Sequence, residues 1–144
     1  MQFEELRVGQ WATMSRTITI VEIVSFAGLT GDANPAHLND EWANRTRFGK
    51  RIGHGMLTAG ILSAVLGTKL PGDGAIYLSQ SLRFSGPVFP GDTITARAEV
   101  IELIPDRRRV RLLTTCTNQH GQVVLEGEAL MLVDNLPPGS EQHL

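Results

Sequence analysis

The stretch from Gly55 to Leu70 leaves this chain few ways to fold. Apolar side chains fall on nearly every face of a helix drawn through Met56 to Leu66, and Gly60 and Ala64 keep that helix slim. Such a helix calls for protein on all sides. The run is short for a bilayer span and is interrupted by Thr58, Ser63, Thr68 and Lys69, so it reads as the central helix of a globular domain. The rest of the chain has to wrap it.

The wrapping lies downstream, where the hydrophobic period changes. Residues Ala75 to Phe84, Thr93 to Leu103, Val110 to Asn118 and Gln122 to Val133 are rich in β-branched side chains. Turn signals around Gly86-Pro87 and Pro90-Gly91-Asp92, at Pro105-Asp106-Arg107 and at Gln119-His120-Gly121 separate them. Mostly adjacent connections favour an antiparallel sheet, which residues 11 to 18 join as a further strand at an edge or in the centre. The expected class is α+β, a single domain of 144 residues with its core between about 8 and 133 and a tail, 135–144, that frays.

Charge narrows the partners. Thirteen basic side chains against fifteen acidic ones leave a formal net charge of −2, which gives no general attraction to nucleic acid or to a membrane surface. The N-terminus lacks the basic-then-apolar order of a secretory signal, and the lone Cys116 fits a reducing compartment, so a cytoplasmic location is expected. The histidines, His37, His54, His120 and His143, show no zinc-type spacing with one another or with the cysteine, and no metal is expected.

The chemistry gathers at Gly31 to His37. Thr19 and Glu22 form a capping-box pattern, Ile20, Ile23, Val24 and Ala27 give one apolar face, and Gly31 is placed to end a helix over Ile20 to Thr30. Asp32 then stands at the negative end of a helix dipole and needs local donors. Proline at 35 fixes its own φ and pushes Asn34 out of the helical region, so Asp32 and His37 share a shaped turn rather than a continuous helix. A turn of that kind can aim a carboxylate and an imidazole at one water molecule, though Gly-Asp and Asn-Pro are also ordinary loop punctuation. A second short helix is expected over Asn39 to Asn44. Gly55, at the start of the central helix, lets another group approach amides that carry partial positive charge, a place for a polarised carbonyl. Ser63 on that helix can simply return a hydrogen bond to its own backbone, and His54 suits a structural role. The cluster Arg45, Arg47, Lys50 and Arg51 suits a solvated loop more than a phosphate site. Arg107 to Arg109 read as solvated turn charges and Cys116 as a small core residue.

Phe26 to His37, Phe-Ala-Gly-Leu-Thr-Gly-Asp-Ala-Asn-Pro-Ala-His, resembles the signature of the MaoC-like, R-specific (type 2) enoyl-CoA hydratases. Gly53-His54-Gly55-Met56 and Pro87-Val88-Phe89-Pro90-Gly91-Asp92-Thr93 are similar to two further landmarks of that family, in the same order. The resemblance implies a hotdog fold, a curved antiparallel sheet around a long central α-helix, and a homodimer joined edge to edge through its sheets. It implies that Asp32 and His37 hold the water that adds across the double bond of a trans-2-enoyl thioester, giving an R-3-hydroxyacyl product. It further implies that Asn34 shapes their loop, that the Gly55 N–H binds the thioester carbonyl and that Ser63 completes the polar site; among side chains of the central helix, Leu66 is the candidate for setting acyl length. No cofactor is implied beyond the substrate, a thioester of coenzyme A or of acyl-carrier protein, whose phosphate Lys50, Arg51 or Arg83 could meet. Ala36 is smaller than the branched residue usual before the histidine, which bears on acyl specificity. Two other activities suit such a fold, an acyl-CoA thioesterase and a non-catalytic acyl-thioester-binding subunit.

Overall fold

The computed structural model describes residues 1–134, so the tail expected to fray lies outside the described residues. The first strand, β1 (Trp11–Thr17), leads into helix α1 (Ile20–Thr30), two short helices α2 (Pro35–Leu38) and α3 (Asp40–Ala43), and the central helix α4 (Gly55–Thr68). Strands β2 (Ala75–Gln80), β3 (Arg83–Phe84), β4 (Thr93–Ile104), β5 (Arg109–Thr117) and β6 (Val123–Val133) follow. Every pairing is antiparallel, in the order β1-β4-β5-β6-β2, with the two-residue β3 also paired to β6. The first strand therefore takes an edge. This is the α+β arrangement that the sequence pattern and the family resemblance both call for.

Burial explains the curvature towards α4. On β4, Ile94, Ala96, Ala98 and Val100 are fully buried in strict alternation, and on β5 the buried set is Val110, Leu112, Thr114 and Cys116. Small residues align across the strands, Ala98 opposite Thr114 and Thr114 opposite Gly127, and leave a trough for the helix. Into the core α4 sends Leu62, Val65 and Leu66, each with no exposed surface. Burying each of these aliphatic side chains contributes about 1.5–3 kcal/mol. Thr114 pays no polar penalty there, since its hydroxyl donates to the Gly127 carbonyl at 2.9 Å and accepts from Gln80 Nε2 at 2.9 Å.

Three expectations need correction. The central helix is not covered on all sides: Met56, Gly60, Ser63 and Gly67, at helical spacing, form an exposed stripe. Residues Ala75 to Phe84 are not one strand, because the regular ladder to β6 breaks at Ser81 and Leu82. The Ser81 N–H donates to the Glu128 carbonyl and its hydroxyl accepts from the Glu128 N–H, both at 2.9 Å, while the Ser81 carbonyl lies where a β-carbon on residue 127 would be. Only glycine fits at 127. Lastly, Arg108 is more than a solvated turn charge: it adopts φ 51° and bonds Glu4 at 2.7 Å and the Val133 carbonyl at 3.1 Å. Its neighbour in the sequence reading, Cys116, is fully buried as expected.

Candidate active site

Local rules place the acid and the imidazole. The capping box forms as the sequence reads it, with Val21 N–H donating to Thr19 Oγ1 and Thr19 N–H to Glu22 Oε2 at 2.8 Å. Gly31 ends α1 with φ 82°, its N–H bonded to the Ala27 carbonyl at 2.9 Å. Asp32 follows, exposed, and its carboxylate accepts the Asn34 N–H at 3.3 Å. That is a local donor of the kind its place beyond a helix C-terminus demands. Asn34 itself, at ψ 130°, is the N-cap of α2, and its Oδ1 accepts the Ala36 N–H at 3.0 Å. Asn34 is thus the residue that shapes the turn.

His37 is held from a distance. Its Nδ1–H donates to the Ile52 carbonyl at 2.7 Å, and the Ile52 N–H donates back to the Ala36 carbonyl at 3.1 Å. With Nδ1 committed, Nε2 is the nitrogen left for other work. His54 comes next: it is 2% exposed, its Nε2–H donates to the main-chain carbonyl of Asp32 at 3.0 Å, and its ring stacks on His37 with centroids 3.8 Å apart.

Gly55 opens α4, so its N–H has no acceptor within the helix. Asp32, His37, Gly55 and Phe84 all border one cavity of about 630 Å³, whose further wall is formed by Val124 and Leu125 of β6. Thus the acid, the imidazole and the helix N-terminus share one space. Neither Ser63 nor Leu66 borders it in the single chain: Ser63 lies on the exposed stripe and Leu66 is wholly buried in the core. Among the loop cations, Arg47 borders the cavity, Lys50 sits 4.2 Å from the Phe89 ring beside an adjoining space, and Arg51 is tied to Asp40 at 2.7 Å. Phe84 is the site residue that sequence reasoning missed, and His54, read there as structural, also borders the cavity. No local signal marks Phe84, because its place over Gly55 depends on β3 pairing with β6.

Asp32, His37 and His54 also bring atoms capable of binding a metal within 4.8 Å of one another. The two imidazole planes, however, lie 29° from parallel in a stack, and ring lone pairs point within their planes. They do not converge on one ion. The arrangement suits proton transfer and water orientation better than metal ligation.

An antiparallel sheet curved around one helix, with a carboxylate and an imidazole beside the helix N-terminus, defines a protein of the hotdog class. More particularly, the chain belongs to the MaoC-like domain family, whose model matches residues 7–122. It is 53% identical over 131 residues to an (R)-specific enoyl-CoA hydratase of Rhodospirillum rubrum, covering 91% of this chain and 90% of that protein. It is 52% identical over 133 residues to a 3-hydroxybutyryl-CoA dehydratase of Methylorubrum extorquens, with coverages of 92% and 84%. The unliganded R-hydratase of Pseudomonas aeruginosa superposes with a TM-score of 0.88 at 41% identity, covering 96% of this chain and 95% of that one. Among the described residues no helix is long and apolar enough to cross a membrane.

Proposed function

We infer that the protein is an R-specific enoyl-CoA hydratase, a hydro-lyase that reversibly adds water to trans-2-enoyl-CoA and yields (R)-3-hydroxyacyl-CoA. The observation that carries this reading is the shared cavity of Asp32, His37 and Gly55. In the forward step the water oxygen bonds to C3 while the C2=C3 electron pair shifts towards the thioester, whose oxygen becomes an enolate. The Gly55 N–H and the dipole of α4 stabilise that oxygen. Asp32 takes the water proton as principal base, His37 orients the water through Nε2, and the pair returns a proton to C2. Dehydration is the same path reversed. The sense of the hydroxyl and the coenzyme A carrier rest on the likeness to the named hydratase and dehydratase.

A homodimer belongs to the same reading. Strand β2 is an edge strand, and Ile76 and Leu78 are 44% and 42% exposed on it. An edge of that kind, beside the uncovered stripe of α4, suits a second copy better than water. Such a partner would also cover Ser63.

The test is hydration of crotonyl-CoA by the purified protein, followed as loss of the conjugated enoyl-thioester absorbance, with the product assayed for R configuration and for free thiol, and with the mass in solution measured alongside. An R-3-hydroxy product without thiol at the dimer mass is expected, and Asp32→Asn should lower kcat by roughly 10²–10⁴-fold. Release of thiol would mark a thioesterase. Binding without turnover across a series of longer enoyl thioesters would mark a binding subunit.

A further inference from the structure

His54 occupies an unusual position in the site. Its main chain, at φ −63° and ψ 134°, is the N-cap of α4, and its carbonyl accepts the Leu57 N–H at 3.1 Å. It therefore starts the helix whose first N–H is that of Gly55. Its side chain runs to the Asp32 carbonyl and the His37 ring, and both residues border the same cavity as Gly55. One residue thus ties the carbonyl-binding amide to the acid–base pair.

The side chain has little freedom. Besides the stack on His37, its ring meets Phe26 of α1 at 4.7 Å between centroids, tilted by 50°. Gly53, just before it, is pinned by its N–H to the Val88 carbonyl at 2.6 Å. The acceptor of Nε2 is a carbonyl, so Nε2 carries the hydrogen. Nδ1 is buried without a hydrogen-bond partner. The geometry is therefore that of the Nε2–H tautomer.

A buried polar atom with no partner costs free energy, and a purely apolar ring would avoid that cost. What histidine supplies that phenylalanine lacks is the bond to the Asp32 carbonyl. What it supplies that glutamine lacks is the flat face against His37. We propose that His54 is a positioning residue of this site, its Nε2–H fixing the main chain of Asp32 and its ring face fixing the plane of His37, so that the acid–base pair keeps its distance from the Gly55 amide. The proposal rests on the hydratase reading. It places the critical bond on the main chain of Asp32, so the carboxylate, whose Oδ1 accepts the Asn34 N–H, is not occupied by His54.

The experiment compares His54→Phe and His54→Gln with the unaltered protein on crotonyl-CoA, after thermal melts show which variants fold. Phenylalanine keeps a ring and loses the donor; glutamine can place an amide N–H near the site of Nε2. Displacements of the order of 1 Å cost roughly 10²-fold in rate, so His54→Phe should lose about 30- to 100-fold in kcat with KM within about 3-fold. His54→Gln should stay within about 10-fold of the unaltered kcat. A residue that serves stability alone would lower the melting temperature and leave the kcat of the folded enzyme unmoved, and that result overturns the proposal. A loss seen in KM rather than in kcat also overturns it. Long-range nitrogen–proton NMR of the unaltered protein supplies a readout that needs no variant to fold: His54 should show the Nε2–H tautomer, and an Nδ1–H tautomer removes the bond on which the proposal stands. If the unaltered protein hydrates crotonyl-CoA and His54→Phe matches it, the positioning role alone fails. If the unaltered protein hydrates no enoyl thioester, the hydratase reading fails and takes this inference with it.

Discussion

A β-carbon added to Gly55 would stand 2.6 Å from Cε1 and 2.7 Å from Cδ1 of Phe84, well inside any real contact. The Phe84 ring thus lies directly over the first residue of the central helix, at the mouth of the cavity that both residues border. That closeness comes from β3, two residues long, whose pairing of Phe84 with Leu125 holds the ring in place. Glycine at 55 is required by the ring, not by the backbone, which is helical there.

Gly55→Ala should therefore fold, since alanine suits a helix, but it must displace the Phe84 ring, which borders the same cavity as the Gly55 N–H. Obstructing one such donor is expected to lower kcat/KM by roughly 10²-fold. Adding Phe84→Ala removes the clash and should recover part of the loss. Steady-state kinetics on the two single variants and the double variant check this, with a coupling of about 0.5–3 kcal/mol for residues in contact.

Acid should weaken the start of α1. The Thr19 side chain bonded to the Glu22 carboxylate, with further backbone donors and Arg16 nearby, holds that carboxyl below the ordinary carboxylate range. A group whose acidity is stronger in the folded chain adds stability above its unfolded pKa and loses it as pH falls through the folded one. Glu22→Gln should thus be less stable than the unaltered protein at neutral pH, with the difference shrinking as pH falls below about 4. Urea unfolding at a series of pH values measures the convergence.

Burial pushes the Cys116 thiol up to about 12, and its Sγ lies 4.0 Å from the Thr58 carbonyl in the core. The thiolate is the reactive form, so iodoacetamide at about pH 8 should leave the native protein unmodified and label it once denaturant opens the sheet. The same shift sets an alkaline slope. An unfolded thiol ionises near about 8.5, so this contribution to stability is whole below that pH and is lost as pH rises towards the folded value. Mass spectrometry of alkylated protein across a denaturant series reads the first effect directly.

Features built by neighbours in the chain were legible. The Thr19–Glu22 capping box, the helix Ile20–Thr30, its end at Gly31 and the turn at Asn34-Pro35 all stand where the residues place them. Each depends on hydrogen bonds spanning a few residues, so the local sequence carries the information. The gap between Ala75 and Phe84 was not legible, because it depends on Ser81 crossing a glycine that lies on another strand, at 127. The uncovered stripe of α4 escaped for a similar reason: apolar residues around a helix show that it prefers cover, and only the sheet's extent shows which sides receive it.

The sequence by itself determined the central helix, the run of antiparallel strands and, through the likeness of residues 26–37 to a known signature, the Asp32–His37 pair. Tertiary structure decided how these become one site. Ile52 fixes the His37 tautomer from 15 residues away, His54 reaches Asp32 across 22, and Phe84 closes over Gly55 from a strand paired to β6. It also decided that Ser63 and Leu66, equal in the sequence as residues of the central helix, face outward and inward respectively. Periodicity states which residues share a helix face, whereas the sheet that closes around the helix decides what each face meets.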